Sequence, residues 1–339
     1  MNRAELLLLA ELSDPDEDVI RTLSVMQGDL LLLGAGGKIG QGLALMARRA
    51  FQEAGKTNRV IAVSRFSDAE LRKNLEEDGI ETIACDLTDA RAVRELPDAS
   101  HVIHMIGVKF GTGGNPGLTW VTNTYIPALA AQRYCDSSIV AFSSGNVDAF
   151  SPSDSNRPDE KTPLNPVGEY GASVVGRERV LDYFSRLHGT PMTILRLNYA
   201  NEPRYGVLVD IATKVMQSEP IDLAMGHVNV LWQTDSNRVT LKAFDACESP
   251  PTVLNLAGPQ VLRVRELAAR FGDVFGIEPA FTGSEAPTAL LSDASACWQR
   301  FGPPEAELDH MITRISDWLM AGYPTWNRPT HFEQRGGTF

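Results

Sequence analysis

Gly34, Gly36, Gly37 and Gly40 fall together in the stretch GAGGKIG, directly after the apolar run Leu30–Leu33. Glycines so spaced suit the binding of a diphosphate. The first permits a tight turn, the second lets backbone N–H groups approach an anionic oxygen, and the third lets a helix pack closely with its positive end towards the anion. Lys38 and Ile39 lie between the last two glycines and belong to the same candidate dinucleotide site. A glycine cluster alone also reads as an ordinary turn, so the flanking elements have to carry the assignment.

Those elements have the required periods. Leu30 to Leu33 is too short for a helix and is bounded by glycine, as a strand buried on both faces would be. From Ile39 the apolar residues Leu43 and Met46 recur at helical spacing, and Gly55 ends the helix. A second strand over Val60–Ser64 arrives where a βαβ unit needs one. An acidic residue at its end would accept hydrogen bonds from the adenosine ribose and repel a 2′-phosphate; this chain has Ser64 and Arg65. Arg65 pairs with such a phosphate, stays a solvated loop charge, or stacks on the adenine. The first role favours NADP, with NAD as the alternative.

The spacing GxxGxxG resembles the short-chain dehydrogenase/reductase superfamily. From Asp29 to Met320 the chain is similar to its extended branch, the NAD-dependent epimerase/dehydratase family. The resemblance implies an α/β fold: a Rossmann-type doubly wound parallel sheet of about seven strands with a small C-terminal substrate lobe. It assigns adenine contact to Asp86 and Leu87, after the strand ETIACD, although Asp86 also reads as a helix cap. Gly107, in HMIGVKFG, falls in the loop beneath the nicotinamide, a segment that resembles UDP-galactose 4-epimerases. Asn123, in VTNTYIPAL, matches an asparagine near the start of its helix, which Pro127 is expected to interrupt or bend. Ser143 and Ser144 close the strand SIVAFSSGNV, and the resemblance makes Ser144 the catalytic hydroxyl. Ser143, Asn198, Arg204 and His227 are expected to face substrate.

One position departs from the family's YxxxK pattern. Residues four apart share a helix face, so the lysine lowers the tyrosine pKa while the phenol exchanges a proton with substrate. Here Tyr170 is followed by Val174. A phenol near its ordinary pKa of about 10 is a poor base at neutral pH. Three readings follow. Lys109, from the loop facing the nicotinamide, or Arg177, two turns along the Tyr170 helix, supplies the cation. Alternatively Tyr170 only donates a hydrogen bond. In the third, the chain binds a dinucleotide as a regulatory or scaffold protein without hydride transfer. The leading expectation is an NAD(P)-dependent oxidoreductase or epimerase acting on a sugar, sugar acid or nucleotide sugar.

Composition narrows the partners. Over 339 residues the formal net charge is −12, which argues against nucleic acid or an anionic membrane and leaves a small-molecule substrate. Cys85, Cys135, Cys247 and Cys297 have no ligand-like spacing, and no metal is expected. No segment reads as a signal peptide or membrane span, so the expected location is cytoplasmic. The expected organisation is a helical extension over 1–28, a sheet domain over 29–200 and 228–258, a lobe over 201–227 and 259–322, and a tail over 323–339. The tail has no period and reads as disordered or as an arm packing on a neighbour. The family often pairs through the helix at 118–135 and the Tyr170 helix, implying a homodimer in which Tyr125, Leu129, Val175 and Phe184 are interface or intrachain core.

Overall fold

The computed structural model describes residues 3–111, 114–154 and 156–337; two residues of the glycine-rich loop, Ser155 and the extreme termini lie outside them. Seven parallel strands form the central sheet: β1 (Leu30–Leu33), β2 (Val60–Ser64), β3 (Glu81–Ala84), β4 (His101–His104), β5 (Ser138–Ser144), β6 (Met192–Leu197) and β7 (Thr252–Leu256). Their order is β7-β6-β5-β4-β1-β2-β3. The order reverses between β1 and β4, which opens a crevice at the carboxyl ends of the strands. Successive side chains of β1 point to opposite faces, and both faces are covered. Leu30 and Leu32 join a core with Ala44 and Ala47 of helix Gly40–Glu53, while Leu31 and Leu33 meet Ala130 and Leu181 on the other side.

The helix carrying Asn123 is not uniform. Pro116–Trp120 passes through a π-helical turn, Val121–Tyr125, into Ile126–Arg133. Pro127 has no N–H, so the carbonyl of Asn123 loses its partner four residues on. Arg177, from the facing helix Gly168–His188, takes its place by donating Nε to that oxygen at 3.3 Å. The interruption expected at Pro127 therefore takes the form of a π turn that presents an orphan carbonyl to a neighbour.

The lobe packs helices Val207–Met216, Val264–Phe275 and Leu308–Met320 around Ile211, Phe271 and Ile315. Two segments depart from the expected organisation. Helix Ser295–Phe301 returns to the sheet, where Cys297 is buried with Leu254 and Leu256 of β7. The described part of the tail packs on this chain's own lobe. Its Phe332, 2% exposed, closes the lobe core, and the chain before it crosses the mouth of the crevice. The N-terminal helices Arg3–Leu12 and Glu17–Val25 lie against Gly40–Glu53 and Gln233–Lys242. Glu11 ties them to the lobe by accepting from Arg314 Nη2 at 2.6 Å and Trp232 Nε1 at 3.2 Å. No described helix is long and apolar enough to cross a membrane.

Candidate active site

The turn after β1 is built for close approach of backbone. Gly34 sits at φ +96°, and a Cβ on Gly40 would lie 2.1 Å from the carbonyl oxygen of Ala35. Above the turn is a groove of about 900 Å³, lined by Gly36, Gly37, Lys38, Arg65, Arg204, Trp326 and Arg328 among others. Ser64 lies beneath Gly36. Lys38 and Ile39 then lead into a second space of about 180 Å³, lined by Ser144, Tyr170, Lys109 and Asn198. Lys38 lines both spaces, so they meet at its side chain.

Ser144 accepts from Asn146 N at 3.2 Å and Asn146 Nδ2 at 3.1 Å, which leaves its O–H to donate into the cavity. Lys109 Nζ donates to the Thr330 carbonyl at 3.2 Å. Burial pulls the Lys109 ammonium down to about 8 against the attraction of Asp210 and Glu333. Lys38 falls further, to about 7, through burial first and then the repulsion of Lys109 and Arg328. Its Nζ stands 2.9 Å from the centroid of the Tyr205 ring, 5.1 Å from Phe110 and 5.8 Å from Trp326. Asn198 is held at the cavity wall by a 3.3 Å bond to Asn229 Oδ1.

Other expected site residues stand elsewhere. Arg177 is not at the cavity: it donates to the Phe142 carbonyl at 2.8 Å and Asn123 Oδ1 at 2.7 Å, as well as to Asn123 O. Its charge is used under the floor, next to Gly107. Asn123 is likewise enclosed, bonded to Val108 N and O and to Ser173 Oγ, so it fixes the loop rather than reaching into the groove. Ser143 turns away and donates to Glu178 Oε1 at 2.5 Å, because alternate residues of β5 face opposite sides. Asp86 accepts from Thr88 N and Oγ1 in a local turn, Leu87 is buried, and neither lines the groove. Arg204 lines the dinucleotide groove rather than the substrate cavity, paired with buried Glu202 at 3.0 Å. His227 is on a short lobe strand opposite Arg263, away from the cavity.

Two features lay beyond the sequence reading. Asp148 is 1% exposed, and neither carboxyl oxygen has a hydrogen-bond partner among the described residues. It faces a small space that shares Lys109, Asn146 and Tyr199 with the Ser144 cavity. Its one sequence signal was an acid close behind the strand-end serines. The other feature is the tail, which brings Trp326, Arg328 and Thr330 to the site. Among the described residues no group of three or more His, Cys, Asp or Glu side chains could hold a metal ion.

A sequence model of the NAD dependent epimerase/dehydratase family matches residues 30–207, more than half of the chain. No curated protein matches significantly. Solved structures of similar fold include UDP-glucose 4-epimerase from Thermotoga maritima with UDP-glucose, at TM-score 0.72 and 17% identity over 87% of this chain and 99% of that one. UDP-glucuronic acid 4-epimerase from Bacillus cereus, in complex with UDP-glucuronic acid and NAD, gives 0.72 and 15% over 87% and 100%. An epimerase from Methanothermobacter thermautotrophicus gives 0.73 and 16% over 90% and 96%. At such identities the structural likeness speaks for the fold, while the sequence match speaks for descent. The chain belongs to the NAD-dependent epimerase/dehydratase family.

Proposed function

We propose that this protein is an NAD(P)-dependent oxidoreductase or epimerase acting at a hydroxyl-bearing carbon of a sugar, sugar acid or nucleotide sugar. The observation that carries this reading is the meeting, at Lys38, of a dinucleotide-sized groove with a cavity holding Ser144, Tyr170 and Lys109. A cradle that a Cβ at Gly40 would fill fits a dinucleotide, and so do the cations along the groove. Gly36, Gly37, Lys38 and Arg65 would hold it; when bound, it supplies hydride acceptance and return. Arg65 and Arg328 in the groove favour NADP, although the Bacillus relative carries NAD. The sugar-nucleotide option comes from the relatives that bind UDP-sugars.

In this mechanism Ser144 donates to the substrate oxygen and Tyr170 takes the proton of the hydroxyl. Lys109 stands in for the lysine that Val174 replaces: its charge favours the phenolate, and its pKa near 8 keeps it able to pass a proton on. The same reading includes a cytoplasmic location, consistent with four free cysteines, and a homodimer. Helices Pro116–Trp120 and Gly168–His188 leave Trp120, Tyr183 and Leu187 exposed beside Tyr125, whereas Leu129 and Phe184 pack into the core.

Calorimetric titration with NADP and NAD, followed by assays of reduced-cofactor fluorescence on a panel of sugars and sugar acids and of UDP-sugar epimerisation, tests the reading. Lys109→Ala is expected to abolish turnover and keep cofactor binding; unchanged turnover would remove Lys109 from its role. A second reading, a dinucleotide-binding regulatory protein, draws on the tail, whose Thr330 carbonyl engages Lys109 at the cavity. That reading calls for binding without turnover and for no effect of Tyr170→Phe on biological output.

A further inference from the structure

The dinucleotide groove has two walls from distant parts of the chain. One is the glycine turn and the end of β2; the other is Arg204 with Trp326 and Arg328 of the C-terminal arm. The arm is anchored on both sides of these residues. Trp326 N donates to the Arg204 carbonyl at 3.1 Å, and its ring stacks on Tyr205 at 5.8 Å between centroids with a 28° tilt. The Arg204 guanidinium lies 5.0 Å from the same indole. Four residues on, Thr330 donates its N–H and Oγ1–H to Asp210 Oδ2 at 2.7 and 2.5 Å. The buried Phe332 then pins the arm into the lobe core. Between the anchors runs the span from Asn327 to Pro329, whose Arg328 lines the groove, with Asn327 in the left-handed region at φ +48°, which asparagine tolerates.

Arg328 is exposed and makes no ion pair among the described residues, yet its charge is felt by Lys38 across the groove. Arg204 is already paired with Glu202, so Lys38, Arg65 and Arg328 are the cations that face the space. The carboxylates Glu5, Asp68 and Glu70 line it as well. Lys38 feels the repulsion of Lys109 and Arg328 more than the attraction of Asp210 and Glu202, and an anion between Lys38 and Arg328 would relieve both cations.

We propose that the arm is part of the dinucleotide site: Arg328 pairs with a phosphate of the bound dinucleotide, Trp326 packs against it, and the strap retains it from one turnover to the next. This rests on the function proposed above and adds binding residues that the glycine turn does not contain. An anion held between the turn amides, Lys38 and Arg328 is gripped from both walls, so its escape must break the charged contact to the strap. Loss of the strap contacts therefore acts mainly on release.

Stopped-flow fluorescence with NADPH on the full-length protein tests this, using wild type, Arg328→Ala, Arg328→Lys and Trp326→Ala. Arg328 is exposed, so its two variants should keep the wild-type melting temperature, and they separate loss of the phosphate contact from any loosening of the arm in Trp326→Ala. Arg328→Ala is expected to speed NADPH release about tenfold or more and to weaken binding in proportion, with Arg328→Lys recovering part of the loss. Trp326→Ala is expected to speed release and to remove most of the energy transfer from protein to nicotinamide. Release rates and affinities within about twofold of wild type in both alanine variants would overturn the proposal while leaving the dinucleotide site in place. Failure of the wild type to bind NADPH or NADH would overturn the site as well as the strap.

Discussion

Arg177 and Asp148 are both buried polar side chains close to the cavity, but they have opposite partners and should behave in opposite ways. Arg177 offers its donors to three acceptors, two of them backbone carbonyls with no other side-chain donor nearby. Arg177→Ala removes three charge-assisted hydrogen bonds from a buried place and should cost about 3 kcal/mol of stability, read as a lower urea midpoint. Asp148 has no hydrogen-bond partner among the described residues and is pushed up to about 7, by burial first and then by Glu178, Glu160 and Asp159, against the opposing Arg196. Arg196 spends itself on Glu178 through a bidentate pair at 2.9 and 2.8 Å, and its Nη1 remains unbonded. The sign follows from proton binding. Between about pH 4, where an unfolded aspartate ionises, and about pH 7, the folded state keeps a proton that the unfolded state has lost. Stability attributable to Asp148 therefore falls as pH rises through that window. Asp148→Asn should be more stable than wild type by a margin that grows over the window to the order of 3 kcal/mol and is small below it. A margin independent of pH would show that the carboxyl titrates normally.

At the scale of elements, legibility followed periodicity. β1, its glycine turn and the helix behind it were readable because a strand period changes to a helix period across glycines whose spacing has one good use. Gly40→Ala should therefore disrupt the turn, costing about 1–3 kcal/mol through the clash with Ala35 and reducing NADP binding more than stability. Ser144, Tyr170 and Asn198 were placed from family pattern and Lys109 as a stand-in for the lysine that pattern lacks here, and all four line one cavity. Arg177 does not line that cavity, because helical spacing from Tyr170 says nothing about what the facing helix offers, although Arg177 and Tyr170 still interact electrostatically. Pro127, by freeing the Asn123 carbonyl, supplies one of the three acceptors that hold the guanidinium. The arm was unreadable for a different reason: aromatic and cationic contacts and one buried phenylalanine hold it, and none of these has a period. The two helices proposed for dimerisation show their outer face plainly, with Tyr183 59% exposed and Tyr125 45%. Sedimentation at micromolar concentration should find a dimer that Tyr125→Glu with Tyr183→Glu converts to a folded monomer; a wild-type monomer would end that proposal.

At the scale of the whole molecule, charge is distributed against its average. The chain carries −12 overall, yet Lys38, Arg65, Arg204 and Arg328 outnumber Glu5, Asp68 and Glu70 in one groove, and Lys109 stands in the adjoining cavity. Such focusing favours an anionic ligand over the protein's own net repulsion of anions. It also taxes the ligand-free state, because the half-buried Lys38 is held near pKa 7 by burial and by the cations around it. A dinucleotide phosphate between these groups would raise that pKa, since an opposite charge favours the ammonium. At pH 8 the free protein then has Lys38 mostly neutral and the complex has it charged, so binding takes up a proton. Affinity should be greatest below about pH 7 and should decline as pH rises through the free-state value, the sign required when the complex holds the extra proton. Calorimetry of NADP binding at pH 8 in two buffers of different ionisation enthalpy should give an uptake approaching one proton per dinucleotide in wild type and little in Lys38→Met. Near pH 5.5 uptake at Lys38 should vanish, because the lysine is already charged. Lys109, titrating near 8, remains in the Lys38→Met variant and serves as the internal control. Equal heats in both buffers at pH 8 would show that Lys38 does not face the bound phosphates, and the glycine turn would then hold the anion by its backbone alone.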